Sequence, residues 1–157
     1  MRDILFRGKR KDNGEWVYGS LFVQEGEWIT KTQRAPKEYY ILGLKGEKNI
    51  VIPETLSQYS GLKDKNENRI FEGDIVEFIS VDLCNPRIVA TIKYGEYKNQ
   101  PLCEGCNYSD WQVGFYMQSV KGQGSILLGS SEEKSIKNFG EVIGNIYDNP
   151  ELLEAEE

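Results

Sequence analysis

The chain of 157 residues contains no histidine. That absence removes Ser-His-Asp and Cys-His catalysis, imidazole proton transfer and mixed His/Cys zinc sites, leaving carboxylate or metal-activated chemistry open. Cysteine is nearly as scarce. Three copies, Cys84, Cys103 and Cys106, are an odd number and are expected to be reduced thiols in a cytosol. No run approaches the roughly 20 apolar residues that span a bilayer. The opening Met1-Arg2-Asp3-Ile4-Leu5-Phe6-Arg7 carries charge on both sides of a short apolar patch, which does not read as a signal peptide. Basic residues are outnumbered, 19 against 25, for a net charge of −6. That is the wrong sign for a protein that grips a phosphate backbone.

What is present favours β structure. Hydrophobic residues make up 39% and aromatics 11%, enough for a core, and the 16 glycines imply many turns. Asn13-Gly14 lies between Ile4–Arg7 and Trp16–Phe22, so residues 2–23 are predicted to form a hairpin with a type I′ turn. The period of two puts Trp16, Tyr18 and Phe22 on one strand face. A turn at Glu25-Gly26 leads toward Trp28-Ile29-Thr30. A second hairpin is expected from Tyr39–Leu42 and Asn49–Ile52, ended by Pro53. Residues 54–60 read as a helical turn or a loop, and Gly61 to Asn68 as a polar loop.

Three half-buried strands follow. They are Ile75–Ile79, then a strand with Ile88, Ala90, Ile92 and Tyr94 on one face, then one alternating through Trp111, Val113, Phe115 and Met117. A short helix is expected at 131–139 and a last strand at Glu141–Tyr147. Asn149-Pro150-Glu151 has the composition of a helix start. The fold class expected is mainly β. It would be one domain over 1–150, with hairpins over 1–60, a small SH3-like or barrel-like sheet over 61–147, a short C-terminal helix and an acidic tail over 151–157.

Each chemical motif has a plainer reading. Cys103-Glu104-Gly105-Cys106 is a C-x-x-C pair in a polar loop, with only Cys84 to help it, short of the four ligands of a structural zinc. Asp64-Lys65-Asn66-Glu67-Asn68 imitates the start of a calcium loop. It then has Arg69 where the turn needs glycine and Ile75 where a glutamate should close the site. A turn explains it better. Glu72 and Asp74 are predicted to point the same way off a strand edge and lack a third partner, so a backbone-capping role is expected. Gly122-Gln123-Gly124 lacks the Lys-Ser/Thr ending of a phosphate loop. Lys93-Tyr94-Gly95-Glu96-Tyr97-Lys98 interleaves rings and cations. The plainer expectation puts Tyr94 in the core and Tyr97 at its rim. The first eleven residues hold Arg2, Arg7, Lys9, Arg10 and Lys11 against Asp3, and the last seven hold Glu151, Glu154, Glu156 and Glu157. Solvated ends are the simplest account.

Several segments, in order, resemble the YopX family of bacteriophage proteins. They are Ile4–Lys9 with Asn13–Gly19, Ile52–Thr55, Gln58–Asn66 running into Ile70–Val76, and Val142–Leu153. The stretch from Val81 to Asn138 carries no such signature. The resemblance implies a phage or prophage origin in a Gram-positive-type host, and it brings no catalytic residues. The protein is accordingly expected to be a non-enzymatic accessory protein of the bacterial cytoplasm, without catalytic, metal or cofactor residues. Its partner is expected to be a protein or a second copy, with nucleic acid, bound by the basic N-terminal strand and the barrel face, as the runner-up. Self-association is expected through edges of the β-sheet, the N-terminal strand among them, or through the oppositely charged ends. A metal-dependent enzyme on Glu72 and Asp74 stands last.

Overall fold

A computed structural model describes residues 3–79, 87–98, 111–120, 125–127, 136–137 and 140–154. The chain divides into two compact units, residues 1–59 and 60–157. Structure is mainly β, in antiparallel sheets.

The first unit is built on β1 (Phe6–Lys9), β2 (Trp16–Gln24), β3 (Glu38–Leu42), β4 (Lys48–Ile50) and the start of β5 (Ser57–Lys63). They lie in the order β4-β3-β2-β1-β5. The β1–β2 hairpin is present, with Arg7 opposite Tyr18 and Lys9 opposite Trp16. Its turn differs from the prediction. Arg10 N–H donates to the Glu15 carbonyl at 2.9 Å and Gly14 N–H to the Arg10 carbonyl at 3.0 Å, enclosing four residues. Gly14 has φ +74° and Asn13 does not share it. A type I′ turn needs both, so the loop uses glycine once, at its left-handed end.

The second hairpin forms as expected, with Tyr40 opposite Ile50. Trp28 makes only an isolated bridge to Arg34. Pro53–Thr55 is a single 3₁₀ turn. Residues 57–63, expected as the end of a helical turn or loop and the start of a polar loop at Gly61, are instead the strand β5, whose Ser57 and Gln58 pair with β1. Only Tyr59 and Leu62 of its side chains are apolar and they do not alternate, so no rhythm betrayed it; neighbouring backbones on both sides decide its state. β1 therefore lies between β2 and β5 and is not a sheet edge. The exposed edge expected on the N-terminal strand is therefore absent, because β1 is paired with a strand on either side. Ile41 and Val51 are fully buried in this unit.

The second unit takes the rest of β5, which pairs with β6 (Arg69–Phe71). Its five-stranded sheet runs β10-β9-β8-β7-β11. The strands are β7 (Asp74–Phe78), β8 (Ile88–Lys98), β9 (Trp111–Ser119), β10 (Ser125–Leu127) and β11 (Glu141–Asn145). The three strands predicted by alternation are present, and β10 was not foreseen. Ile70, Val76, Phe78, Ile88, Ala90, Ile92, Phe115, Met117 and Ile136 form the core. Of the predicted helix at 131–139 only Ile136 and Lys137 fall within the described residues, and both are helical. The expected C-terminal helix is one 3₁₀ turn, Pro150–Leu153. Asn149 precedes it without capping it. Its Oδ1 turns back to accept the Asn145 N–H at 3.4 Å. Among the described residues no helix is long and apolar enough to cross a membrane.

Candidate functional site

Of the two carboxylates singled out by spacing, Asp74 serves the backbone. Glu72 and Gly73 form the turn between β6 and β7, so the period of two does not run through them and Glu72 and Asp74 do not share a strand face. Asp74 is buried and its Oδ2 accepts the Phe71 N–H at 2.7 Å. Gly73 holds φ +79°, donates to the Ile92 carbonyl at 2.8 Å and accepts from Ile146 N–H at 2.9 Å. The turn is thus locked from both sides, and a carboxylate is needed there for its lone pairs.

Asp64 is a second case. It is buried, and its carboxylate accepts N–H groups of Asn66 and Asn68, both at 2.8 Å, the Asn68 side-chain amide at 3.0 Å and Val142 N–H at 3.2 Å. Burial pushes its pKa up. The bonds from Asn68, Val142 and Asn66 outweigh that and hold it below the ordinary carboxylate range. The calcium-like spelling is therefore a turn. Among the described residues no three His, Cys, Asp or Glu side chains are placed to hold a metal ion. Cys84, Cys103, Cys106 and the Gly122-Gly124 pair lie outside the described residues.

The interleaved rings of β8 reverse the expectation. Tyr97 is only 3% exposed and stacks on Tyr116 at 4.8 Å, its hydroxyl donating to Gln112 at 2.9 Å. Desolvation raises its pKa. Tyr94 is 53% exposed. The alternation itself holds, but β7 pairs β8 only up to Thr91, so Tyr94 extends past the core. Beside this, Glu72, Thr91, Lys93, Tyr116, Gln118 and Tyr147 line an open groove of about 570 Å³. It offers hydroxyls, an amide and one charge of each sign.

The strongest concentration of recognition chemistry lies in the first unit. Cross-strand register places Arg7 and Lys9 of β1, Trp16, Tyr18 and Phe22 of β2, Tyr40 of β3 and Lys48 of β4 on one sheet face. The Arg7 guanidinium sits 4.7 Å and the Lys9 ammonium 5.4 Å from the centre of the Trp16 ring. Phe22 and Tyr40 are 6.1 Å apart, with the Lys48 ammonium 5.0 and 3.7 Å from their centres. The Tyr40 hydroxyl donates to Glu38 at 2.5 Å, which raises its pKa. Tyr18 is 49% and Phe22 43% exposed. At the edge of this face Arg10, Lys11, Lys48 and Asn49 border a hollow of about 360 Å³. Arg10 is held by Asp12 at 3.0 and 2.5 Å, whereas neither Lys11 nor Lys48 is ion-paired among the described residues. Residues 1–59 carry ten basic and eight acidic side chains; residues 60–157 carry nine and seventeen.

Sequence reasoning found the three rings of β2 but not the cations across from them. The missing signal was register. With Lys9 opposite Trp16, Arg7 falls opposite Tyr18, and the separate β2–β3 and β3–β4 registers add Tyr40 and Lys48 to the face.

The described fold and this face define a β-rich protein whose N-terminal sheet exposes Tyr18 and Phe22 beside the buried Arg7 and Tyr40. The family profile described as YopX protein matches residues 5–154, and the chain belongs to that family. Among solved structures it is similar to the crystal structure of protein EF1440 from Enterococcus faecalis. Identity there is 23%, covering 98% of this chain and 100% of that one, with a TM-score of 0.48. No curated protein matches it.

Proposed function

We propose that the protein is a non-enzymatic binding module that holds its partner on the open face of the N-terminal sheet. Its family resemblance implies that it acts as a phage or prophage accessory protein in the bacterial cytoplasm. The observation that carries the reading is the exposure of Tyr18 and Phe22 among Arg7, Lys9, Trp16, Tyr40 and Lys48. Tryptophan, tyrosine and arginine dominate binding hot spots because they bury large rigid areas at small entropic cost. Rings left half in water on a sheet face contribute less to folding than to contact with something else. The non-enzymatic reading is supported by Asp64 and Asp74, whose carboxylates are spent on turns.

The test is retention from a bacterial host extract on the immobilised full chain. A chain carrying Tyr18→Ala, Phe22→Ala and Lys48→Glu serves as comparison, and extracts are run with and without nuclease. Material retained by the native chain and lost by the variant is the expected outcome. Equal retention by both would show that this face is not the binding surface.

A further inference from the structure

We propose that the ligand of this face is single-stranded nucleic acid, its bases lying on the rings and its phosphates on the ammonium groups. The proposal rests on the reading above that the face is a binding surface. Sequence-independent single-strand recognition needs two things on one open surface: aromatic platforms, and cations that track the backbone. Both are here. Trp16, Tyr18 and Phe22 share one face of β2, with about 7 Å along the strand from Trp16 to Tyr18 and about 14 Å from Tyr18, past Ser20, to Phe22. Lys9 lies beside the Trp16 end and Lys48 beside the Phe22 end. The hollow bordered by Lys11, Lys48 and Asn49 adds Lys11 to these cations, and it is also lined by Arg10 and Asp12, which pair with each other.

The chemistry of the rings discriminates among partners. A polypeptide of acidic side chains would be drawn to the same ammonium groups, but its carboxylates present no flat π surface to lay on Tyr18 or Phe22. A duplex keeps its bases stacked on one another and would use the cations alone. Charge points to the first unit as well, since residues 1–59 hold a basic surplus of two within a chain of net charge −6. That small surplus also limits the affinity. With Lys9, Lys11 and Lys48 as the phosphate contacts, log affinity falls against log salt with a slope of about −2. Binding belongs to low salt and fades near physiological ionic strength.

The experiment is fluorescence anisotropy of the full chain with a labelled oligothymidylate of about a dozen nucleotides, a length suited to one such surface. Poly-glutamate of similar charge and a duplex of similar length are titrated in parallel. Expected results are binding at about 25 mM salt that weakens roughly 20-fold by about 100 mM. The Tyr18→Ala/Phe22→Ala chain should bind at least about 10-fold more weakly. Lys48→Glu should weaken binding and flatten the salt slope. Thermal midpoints of the variants, measured alongside, separate lost contacts from lost folding. Poly-glutamate binding as well as the oligonucleotide, with the ring variant unchanged, would overturn the nucleic-acid inference while leaving the face a cationic binding surface. Absence of oligonucleotide binding at low salt would also overturn it, and the extract experiment would then judge the face by itself. Tight oligonucleotide binding that ignores all three substitutions would overturn both the inference and the face.

Discussion

Asp64 and Val142 stand 78 positions apart in the sequence, yet the Val142 N–H donates to Asp64 Oδ2 at 3.2 Å. The same carboxylate accepts three donors from its own turn. Lys65 N–H donates to the Gly140 carbonyl at 3.0 Å, and its ammonium pairs with Glu141 at 2.6 Å. One buried side chain thus closes a loop and ties it to strand β11.

Asp64→Asn is expected to cost roughly 2–3 kcal/mol, because an amide offers one accepting oxygen where the carboxylate serves four donors. The pKa of Asp64 is depressed in the folded state, so its contribution is complete above the unfolded carboxyl value near 4. It is lost as pH falls from there through the folded value. Urea unfolding of both chains at neutral and acid pH checks this. The gap between them should shrink below pH of about 4 and stay constant above about 6.

Gly73→Ala should destabilise by about 1–3 kcal/mol. The residue sits at φ +79°, and a Cβ there would meet Tyr147 Cε2 at 3.1 Å. Thermal unfolding measures the loss. A midpoint unchanged from the native chain would mean that the turn can relax into another conformation.

Exposed rings and buried aliphatics should behave differently. Ile41→Ala and Ile92→Ala, both at 0% exposure, are expected to cost about 2–5 kcal/mol each. Phe22→Ala and Tyr18→Ala should cost less than about 1 kcal/mol, as surface changes do. Chemical denaturation of the four single variants gives the comparison, and it certifies the ring variants for binding work.

Removing residues 1–4 should leave the mass in solution unchanged by light scattering at several concentrations and two salt levels. β1 begins at Phe6 between β2 and β5, and Leu5 already accepts Tyr59 N–H at 2.8 Å. An oligomer lost on truncation would show that the terminal segment makes the contact.

Alternation made much of the second unit legible. Ile88, Ala90 and Ile92, and Phe115 and Met117, are buried as their spacing implies, since one half-buried sheet face imposes a period of two. The hairpins around Gly14 and Gly46 were legible because glycine supplies their positive φ. β5 was not, because Ser57-Gln58-Tyr59-Ser60 carries no hydrophobic rhythm and owes its state to strands on either side.

The sequence by itself determined a mainly β protein of this family, without histidine chemistry, with its rings and cations dispersed along the first fifty residues. Only tertiary structure decided which of them meet. Pairing β1 with β2, and β2 with β3, set Arg7, Lys9, Trp16, Tyr18, Phe22 and Tyr40 on one face, because register carries side chains from distant positions to the same side of a sheet. It also brought the Val142 N–H to Asp64, a donor 78 positions away that local spacing could not reveal, whereas the bonds of Asp64 and Asp74 to their own turns were expected. Composition names the available groups, and long-range hydrogen bonding assigns them.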